Sequence, residues 1–326
     1  MIKRVVADVM VPIVDLLFAP AFFVAAVLMK IVRRLGIWRM PICREICFRV
    51  GIYPIRDHYY EPMYNHKKHL RHSLRDERKL PGVDMNEDGQ LSLLGQFDSA
   101  DELERIPLHQ THGRLFYYKN PNFSEGDAES LYSLIRLKKP KRIIEIGSGF
   151  STMMACEAIE KNIHEDNTYN CEHICIEPFE MEWLDAVSGI EVVRKKLEEV
   201  DMQIFGRLEA DDILFIDSSH IIRPQGEVLV EYLEILPTLN VGVLVHIHDI
   251  FTPYDYLDRW LIDEVKFWNE QYLLEAFLSC NTQFEIVLAL NFLSHAHPAK
   301  LVEKFPMLRG SVEQCEPRSF WVRKIA

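Results

Sequence analysis

The chain has 326 residues, enough to bury a large core without help from metal or disulfides. Hydrophobic residues make up 48% of it and charged residues 26%, with only 14 glycines, which excludes collagen-like and wholly disordered chains. A formal charge of -12 excludes a broad surface for nucleic-acid backbone, so no nucleic-acid partner is expected.

The first element in chain order is apolar. Residues 9–29 are almost continuously hydrophobic, interrupted by Asp15 and containing Pro12 and Pro20. The stretch is long enough to cross a bilayer. Lys3 and Arg4 precede it, and Lys30, Arg33, Arg34 and Arg39 follow, a bias that places the rest of a spanning chain on the cytoplasmic face. Asp15 and the two prolines suit a broken hairpin or monotopic anchor as well as a span. A helical contact between copies, making a homo-oligomer, and a soluble packing arm are the other uses of such a segment. Residues 1–36 are therefore expected to form a membrane-associated or oligomerising helical arm.

Residues 37–120 are uneven in pattern and read as a connector and accessory cap. They include Asp57-His58-Tyr59-Tyr60-Glu61-Pro62, whose polar groups suit either a polar substrate or a hydrogen-bonded structural network. The seven cysteines show no repeated CxxC spacing and read as reduced, structural thiols.

Regular alternation begins near residue 121 and continues to the end of the chain. Strands are expected at Arg142–Ile146, Cys171–Ile176, Ile190–Val193, Ile213–Ile216, Val241–Ile247 and Phe284–Leu290, with Phe320–Lys324 as an added sheet edge. Helices are expected over Asp127–Leu137, Ser151–Asn162, Glu227–Leu236 and Asp258–Leu278. The pattern predicts a doubly wound α/β domain over residues 121–326, with a mostly parallel seven-stranded sheet covered on both faces.

One turn carries a ligand signal. Glu145-Ile146-Gly147-Ser148-Gly149 follows a hydrophobic strand and precedes a helix, so its glycines permit a tight turn and close approach of a ligand. Thr152 stands where a dinucleotide site would prefer a third glycine, which favours a nucleoside ligand without a pyrophosphate. Glu177 ends the next strand and is placed to accept hydrogen bonds from ribose hydroxyls. At these residues, and over roughly residues 123–322, the sequence resembles the class I S-adenosylmethionine-dependent methyltransferases. The resemblance puts Glu145, Gly147 and Gly149 in the first motif of that family, with Ser148 between the glycines and Glu177 as its ribose-binding acid. It implies S-adenosylmethionine as cofactor, with Glu145 near the amino group of its methionine portion. The arm resembles that of an uncharacterised membrane-associated branch.

A second cluster follows later strands. Asp217 and His220 lie just beyond Ile213–Ile216, and His246, His248 and Asp249 end the following strand. Both loops reach the carboxyl edge of an open sheet, so Asp217, His220, His248 and Asp249 are the candidate catalytic residues. A histidine there can take a proton from an oxygen or nitrogen nucleophile. Alternatively, Asp217, Asp249 and His248 can hold Mg²⁺ or another divalent ion, a pattern similar to metal-dependent O-methyltransferases. His246 shares strand parity with His248, so it either faces the same side or is a satisfied core residue, whereas Trp268 and Tyr272 read as core packing.

The expected function is S-adenosylmethionine-dependent methyl transfer to a hydroxyl or amine of a small or membrane-proximal substrate, at the cytoplasmic face of a membrane. Two other readings use the same residues: a metal-dependent hydrolase or oxygenase built on the His/Asp cluster, and a non-catalytic membrane-bound interaction protein.

Overall fold

The computed structural model describes residues 2–111 and 116–326. The chain divides into two compact units, Met1–Ser73 and Leu74–Ala326. In the first unit, α1 (Ile2–Leu35) runs uninterrupted through Pro12 and Pro20, and 26 of its residues, Met10–Leu35, are long and apolar enough to cross a membrane. Large apolar side chains along it, including Leu16 and Phe22, are exposed. Two shorter helices follow, α2 (Pro41–Val50) and α3 (His66–His69).

The second unit opens with α4 (Glu87–Gly95), α5 (Ala100–Leu103) and α6 (Asp127–Lys138). There follow β1 (Arg142–Ile146), α7 (Phe150–Glu165), β2 (Glu172–Ile176), α8 (Glu182–Asp185), β3 (Ile190–Val193) and β4 (Ile213–Ile216). Next come α9 (Glu227–Val230), β5 (Leu244–Ile247), α10 (Glu270–Leu278) and β6 (Phe284–Ala289). The chain closes with α11 (Leu290–Ala296), α12 (Pro298–Lys304), α13 (Val312–Cys315) and β7 (Phe320–Lys324).

The seven strands form one sheet in the order β3-β2-β1-β4-β5-β7-β6. Pairings from β3 across to β5 are parallel, and β7 is antiparallel to both of its neighbours. The sheet is therefore mostly parallel, with an antiparallel side. Central strands of this kind need apolar side chains on both faces. In β1, Ile143 joins one buried cluster with Leu134 of α6, Met154 of α7, and Trp321. Ile144 and Ile146 join the other, with Val228, Tyr232 and Leu274 on the opposite face. Leu94, Phe97, Leu103, Phe116 and Tyr118, which precede α6 in sequence, belong to the first of these clusters.

Two sequence expectations are corrected. Phe320–Lys324 is not an added edge: β7 lies between β5 and β6, and Phe320, Trp321 and Val322 are fully buried. Nor is Asp258–Leu278 one helix. A single wide turn spans Arg259–Asp263, Val265 takes a left-handed conformation, and α10 begins only at Glu270. A distant carbonyl sets that start, because His220 O accepts from Asn269 N at 3.0 Å and Glu270 N at 3.3 Å, satisfying amides a new helix would otherwise leave unpaired. The interval Glu227–Leu236 is helical throughout but widens over Glu231–Ile235 and tightens over Leu236–Thr238, where Pro237 lacks a donor.

One buried acid ties the start of the central strands. Asp212 Oδ1 accepts from Lys141 N and Arg142 N, both at 2.9 Å, and Oδ2 accepts from Glu209 N at 2.9 Å. Asp212→Ala leaves three amides without an acceptor and should cost about 3 kcal/mol, read as a lowered urea midpoint. Asp212→Asn, which keeps one oxygen, should lose less than half of that. An unchanged midpoint in the alanine variant contradicts the assignment.

Candidate active site

The order β3-β2-β1-β4-β5 reverses direction at β1 and β4, and in open α/β sheets ligands bind in the crevice at that reversal. Backbone geometry shapes it first. Gly147 sits at φ +82°, and a Cβ there would lie 2.0 Å from the carbonyl oxygen of Asp217. Absence of a side chain lets the turn after β1 rest against the end of β4. Gly147 N donates to Ile176 O at 3.0 Å, and Asp217 N donates to Ile146 O at 2.9 Å. Gly149 is different: its backbone is extended, and a Cβ would meet nothing within 4 Å.

Beside this turn lies a cavity of about 360 Å³, lined by Gly147, Glu177, Phe179, Leu197, Asp217 and Ser219 among others. That is within the range of small-ligand pockets. Glu177 is buried, and its two oxygens accept from Ser148 N at 3.3 Å and Phe179 N at 2.9 Å. The carboxyl group thus ties the β1 and β2 turns together at the cavity wall.

Glu145 is placed elsewhere. Strand alternation sends Ile144 and Ile146 to one face of β1 and Glu145 to the other, so Glu145 does not line this cavity. It is fully buried, with Oε2 accepting from Thr152 Oγ1 at 2.6 Å and lying 3.0 Å from His173 Nε2. Thr152 Oγ1 in turn accepts from Gly149 N at 3.1 Å, which connects Glu145 to the glycine turn. Glu145 Oε1 has no hydrogen-bond partner among the described residues.

The structure brings together all four candidates of the second cluster. His220 Nε2 lies 3.4 Å from Asp217 Oδ1 and 3.3 Å from Asp249 Oδ2. His248 Nδ1 lies 3.3 Å from Asp217 Oδ1 and 3.6 Å from Asp249 Oδ1. Both His220 and Asp249 adopt left-handed backbone, a conformation costing of order 1–3 kcal/mol for such residues and concentrated at functional sites.

Three residues that the strand-end pattern did not flag complete the cluster. Glu270 Oε2 lies 2.8 Å from His220 Nδ1, and its other oxygen accepts from the Tyr232 hydroxyl at 3.1 Å. Asp127 Oδ1 accepts from Arg318 N at 2.8 Å and Ser319 N at 2.7 Å, while Oδ2 lies 3.5 Å from His248 Nε2. Arg318 Nε reaches Asp249 Oδ1 at 3.0 Å.

These neighbours set protonation. Burial works against charge on His248, but the Asp217 and Asp249 carboxyls outweigh it and push the ring up to about 10. Burial likewise opposes charge on His220, and hydrogen bonds to Asp217 and Glu270 overcome it and raise the ring well above its usual range. Asp217 is held well below the usual carboxyl range despite burial, chiefly by the His248 charge and the His220 hydrogen bond. Both histidines therefore rest as donors around Asp217, and neither is poised to accept a proton in this arrangement.

His246 is a core residue: it stacks on Phe215 at 3.9 Å and pairs with Ser319 Oγ at 2.9 Å, and burial lowers its basicity. Trp268 is not simply core, because its ring lies 4.5 Å from that of His220. Tyr272 is 38% exposed, with its hydroxyl donating to Asp255 at 2.9 Å, which corrects the expectation of core packing.

Residues 144–250 match the family described as a methyltransferase domain. An uncharacterised protein of Archaeoglobus fulgidus is 30% identical over 167 residues, which cover 48% of this chain and 74% of that protein. Two solved structures share remote likeness. One is a putative protein-L-isoaspartate O-methyltransferase from Plasmodium falciparum in complex with S-adenosyl-L-homocysteine, at 15% identity and TM-score 0.26, covering 50% of this chain and 77% of that one. The other is an O-methyltransferase from Bacillus cereus, also in complex with S-adenosylhomocysteine, at 12% identity and TM-score 0.37, covering 72% and 91%. At these scores neither bears on the site geometry or on the acceptor.

The two glycines of the turn should respond differently to a methyl group. Gly147→Ala should lower the denaturation midpoint by about 2 kcal/mol or more, since both its backbone angle and its contact with Asp217 must change. Gly149→Ala should stay within about 0.5 kcal/mol of the parent. Equal losses in the two variants would contradict this account of the turn.

Proposed function

We propose that the chain, which carries a methyltransferase domain over residues 144–250, is a class I S-adenosylmethionine-dependent methyltransferase that methylates a hydroxyl or amine of a small or membrane-proximal molecule at the cytoplasmic face of a membrane. One observation carries the assignment of sides within the site. Asp217 lines the cavity that adjoins Gly147 and Glu177, and the same carboxyl group lies within 3.4 Å of His220 and 3.3 Å of His248. A ligand in the cavity and an acceptor at the His/Asp cluster would thus meet at Asp217.

The residues fit the cofactor. Gly149 faces open space, and Glu177 presents a buried carboxyl group at the cavity wall. In this reading Gly147, Ser148 and Gly149 hold the cofactor by backbone approach and Glu177 binds its ribose hydroxyls, while Glu145 supports the turn from the opposite face of β1 through Thr152. When bound, S-adenosylmethionine supplies an electrophilic methyl group on a sulfonium centre. The chain's own contribution is alignment: Asp217 accepts a hydrogen bond from the acceptor's O–H or N–H, with His220 and His248 fixing its orientation. Glu270 and Asp127 hold the two rings from behind. The apolar length of α1 and the basic residues at its end support the membrane setting.

A divalent ion is a second reading, because Asp217, His248 and Asp249 offer ligand atoms within 4.8 Å of one another. As arranged, the donor set suits it poorly. His248 holds a proton, and Arg318 already takes Asp249 Oδ1, so an ion would have to displace both. The metal-free arrangement is therefore the one proposed. Addition of Mg²⁺ to the purified chain should leave its thermal midpoint unchanged; a dose-dependent rise would favour the ion. The hydrolase or oxygenase reading and the non-catalytic reading have no support beside the methyltransferase match.

Calorimetric titration with S-adenosylhomocysteine tests the cofactor assignment without knowledge of the acceptor. The parent chain should bind, and Glu177→Ala should bind about 100-fold more weakly, the loss of roughly 3 kcal/mol of hydrogen bonding to a carboxyl group. A folded parent chain that binds neither form of the cofactor would overturn the proposal.

A further inference from the structure

We propose that the first unit carries a binding site for the phosphate group of an anionic membrane lipid, built against the C-terminal end of α1. This rests on the membrane association proposed above. Within that unit lies a cavity of about 560 Å³ between the end of α1 and the segment that follows α2. Five cations line it: Lys30, Arg33, Arg34, Arg56 and Lys68.

Acids of the segment Asp57–Glu61 hold some of these cations in place. Glu61 takes Arg33 in a two-point pair at 2.8 and 2.7 Å and also meets Arg56 at 3.3 Å. Asp57 is shared between Lys68 at 3.1 Å and His69 at 2.8 Å. Positive charge therefore exceeds negative charge around the cavity. Lys30 and Arg34, by contrast, have no ion-pair partner among the described residues. The polar segment 57–62 is thus a structural network whose product is a fixed cluster of cations with two left to engage a ligand.

Depth selects the ligand. At about 1.5 Å per residue, Met10 to Lys30 spans about 30 Å, the thickness of a bilayer's hydrocarbon core. Lys30, Arg33 and Arg34 then fall at the level of the headgroups. Ala26, one turn before Lys30, and Met29, one turn before Arg33, give the cavity apolar lining on α1, and Met63 also lines it. Cations toward water and methyl groups toward the acyl region match a phospholipid better than free phosphate. Tyr59 and Tyr60, 91% and 85% exposed beside the acids, are the residue type that settles at a membrane–water interface. Basic pockets next to membrane helices bind anionic headgroups in this manner.

The test uses the full chain in a neutral detergent, where no bilayer surface contributes general attraction. Short-chain phosphatidylglycerol should bind saturably, short-chain phosphatidylcholine should not, and inorganic phosphate should bind far more weakly. Lys30→Gln with Arg34→Gln should weaken phosphatidylglycerol binding about 30-fold, from roughly 1 kcal/mol for each basic residue. The same variant should bind S-adenosylhomocysteine as the parent does, which verifies its fold. Arg44→Gln with Arg49→Gln on α2, outside the cavity lining, should leave lipid binding unchanged. Equal binding of the two lipids, equal loss in both double variants, or phosphate binding as tight as lipid would each overturn the site. Co-flotation with phosphatidylcholine vesicles reads membrane association on its own; failure there would overturn the membrane reading beneath it.

Discussion

The contact on which the site depends is the approach of Gly147 to the carbonyl of Asp217. With no Cβ at Gly147, the turn after β1 lies directly against the end of β4, and the backbone bonds Asp217 N to Ile146 O and Gly147 N to Ile176 O lock three strand ends in register. That junction divides the carboxyl edge of the sheet. On the β1–β2 side the chain leaves a cavity walled by Glu177, and on the β4–β5 side it gathers histidines and acids. Asp217 belongs to both sides because its backbone forms the junction and its side chain lies beyond it.

The charge cluster has its own logic. Burying several carboxyl groups together is costly unless cations or amides face them. Here His220, His248 and Arg318 stand among Asp127, Asp217, Asp249 and Glu270, and the backbone amides of Arg318 and Ser319 meet Asp127. The result is a set of side chains held from behind by elements far apart in the chain, which is what a site needs to keep its front groups in one orientation. It also changes the part the histidines play. The sequence suggests proton acceptors, whereas their acidic surroundings keep them as donors.

Much of the fold was readable from local pattern. Arg142–Ile146, Ile190–Val193, Ile213–Ile216 and Phe320–Lys324 are short apolar runs with clear boundaries, and each forms a strand over those residues. What local pattern does not contain is the neighbour. The place of β7 inside the sheet depends on its pairing with β5 and β6, and the break before α10 depends on the carbonyl of His220. The site divides the same way. Asp217, His220, His248 and Asp249 follow strands directly and were found, while Asp127, Glu270 and Arg318 arrive from α6, α10 and the lead into β7, where nothing in their own sequence context marks them. Strand parity does distinguish Glu145 from Ile144 and Ile146, and it is the signal that would have placed Glu145 on the face away from the cavity.

The central claim is that one ligand site at the β1–β4 junction faces a separate acceptor site across Asp217. A crystal structure of the chain with S-adenosylhomocysteine tests it most directly. The account predicts the ribose hydroxyls on Glu177, the adenine beside Phe179, and the sulfur directed toward Asp217. Ligand bound away from Gly147 and Glu177, or with its sulfur turned from the His/Asp cluster, would contradict it.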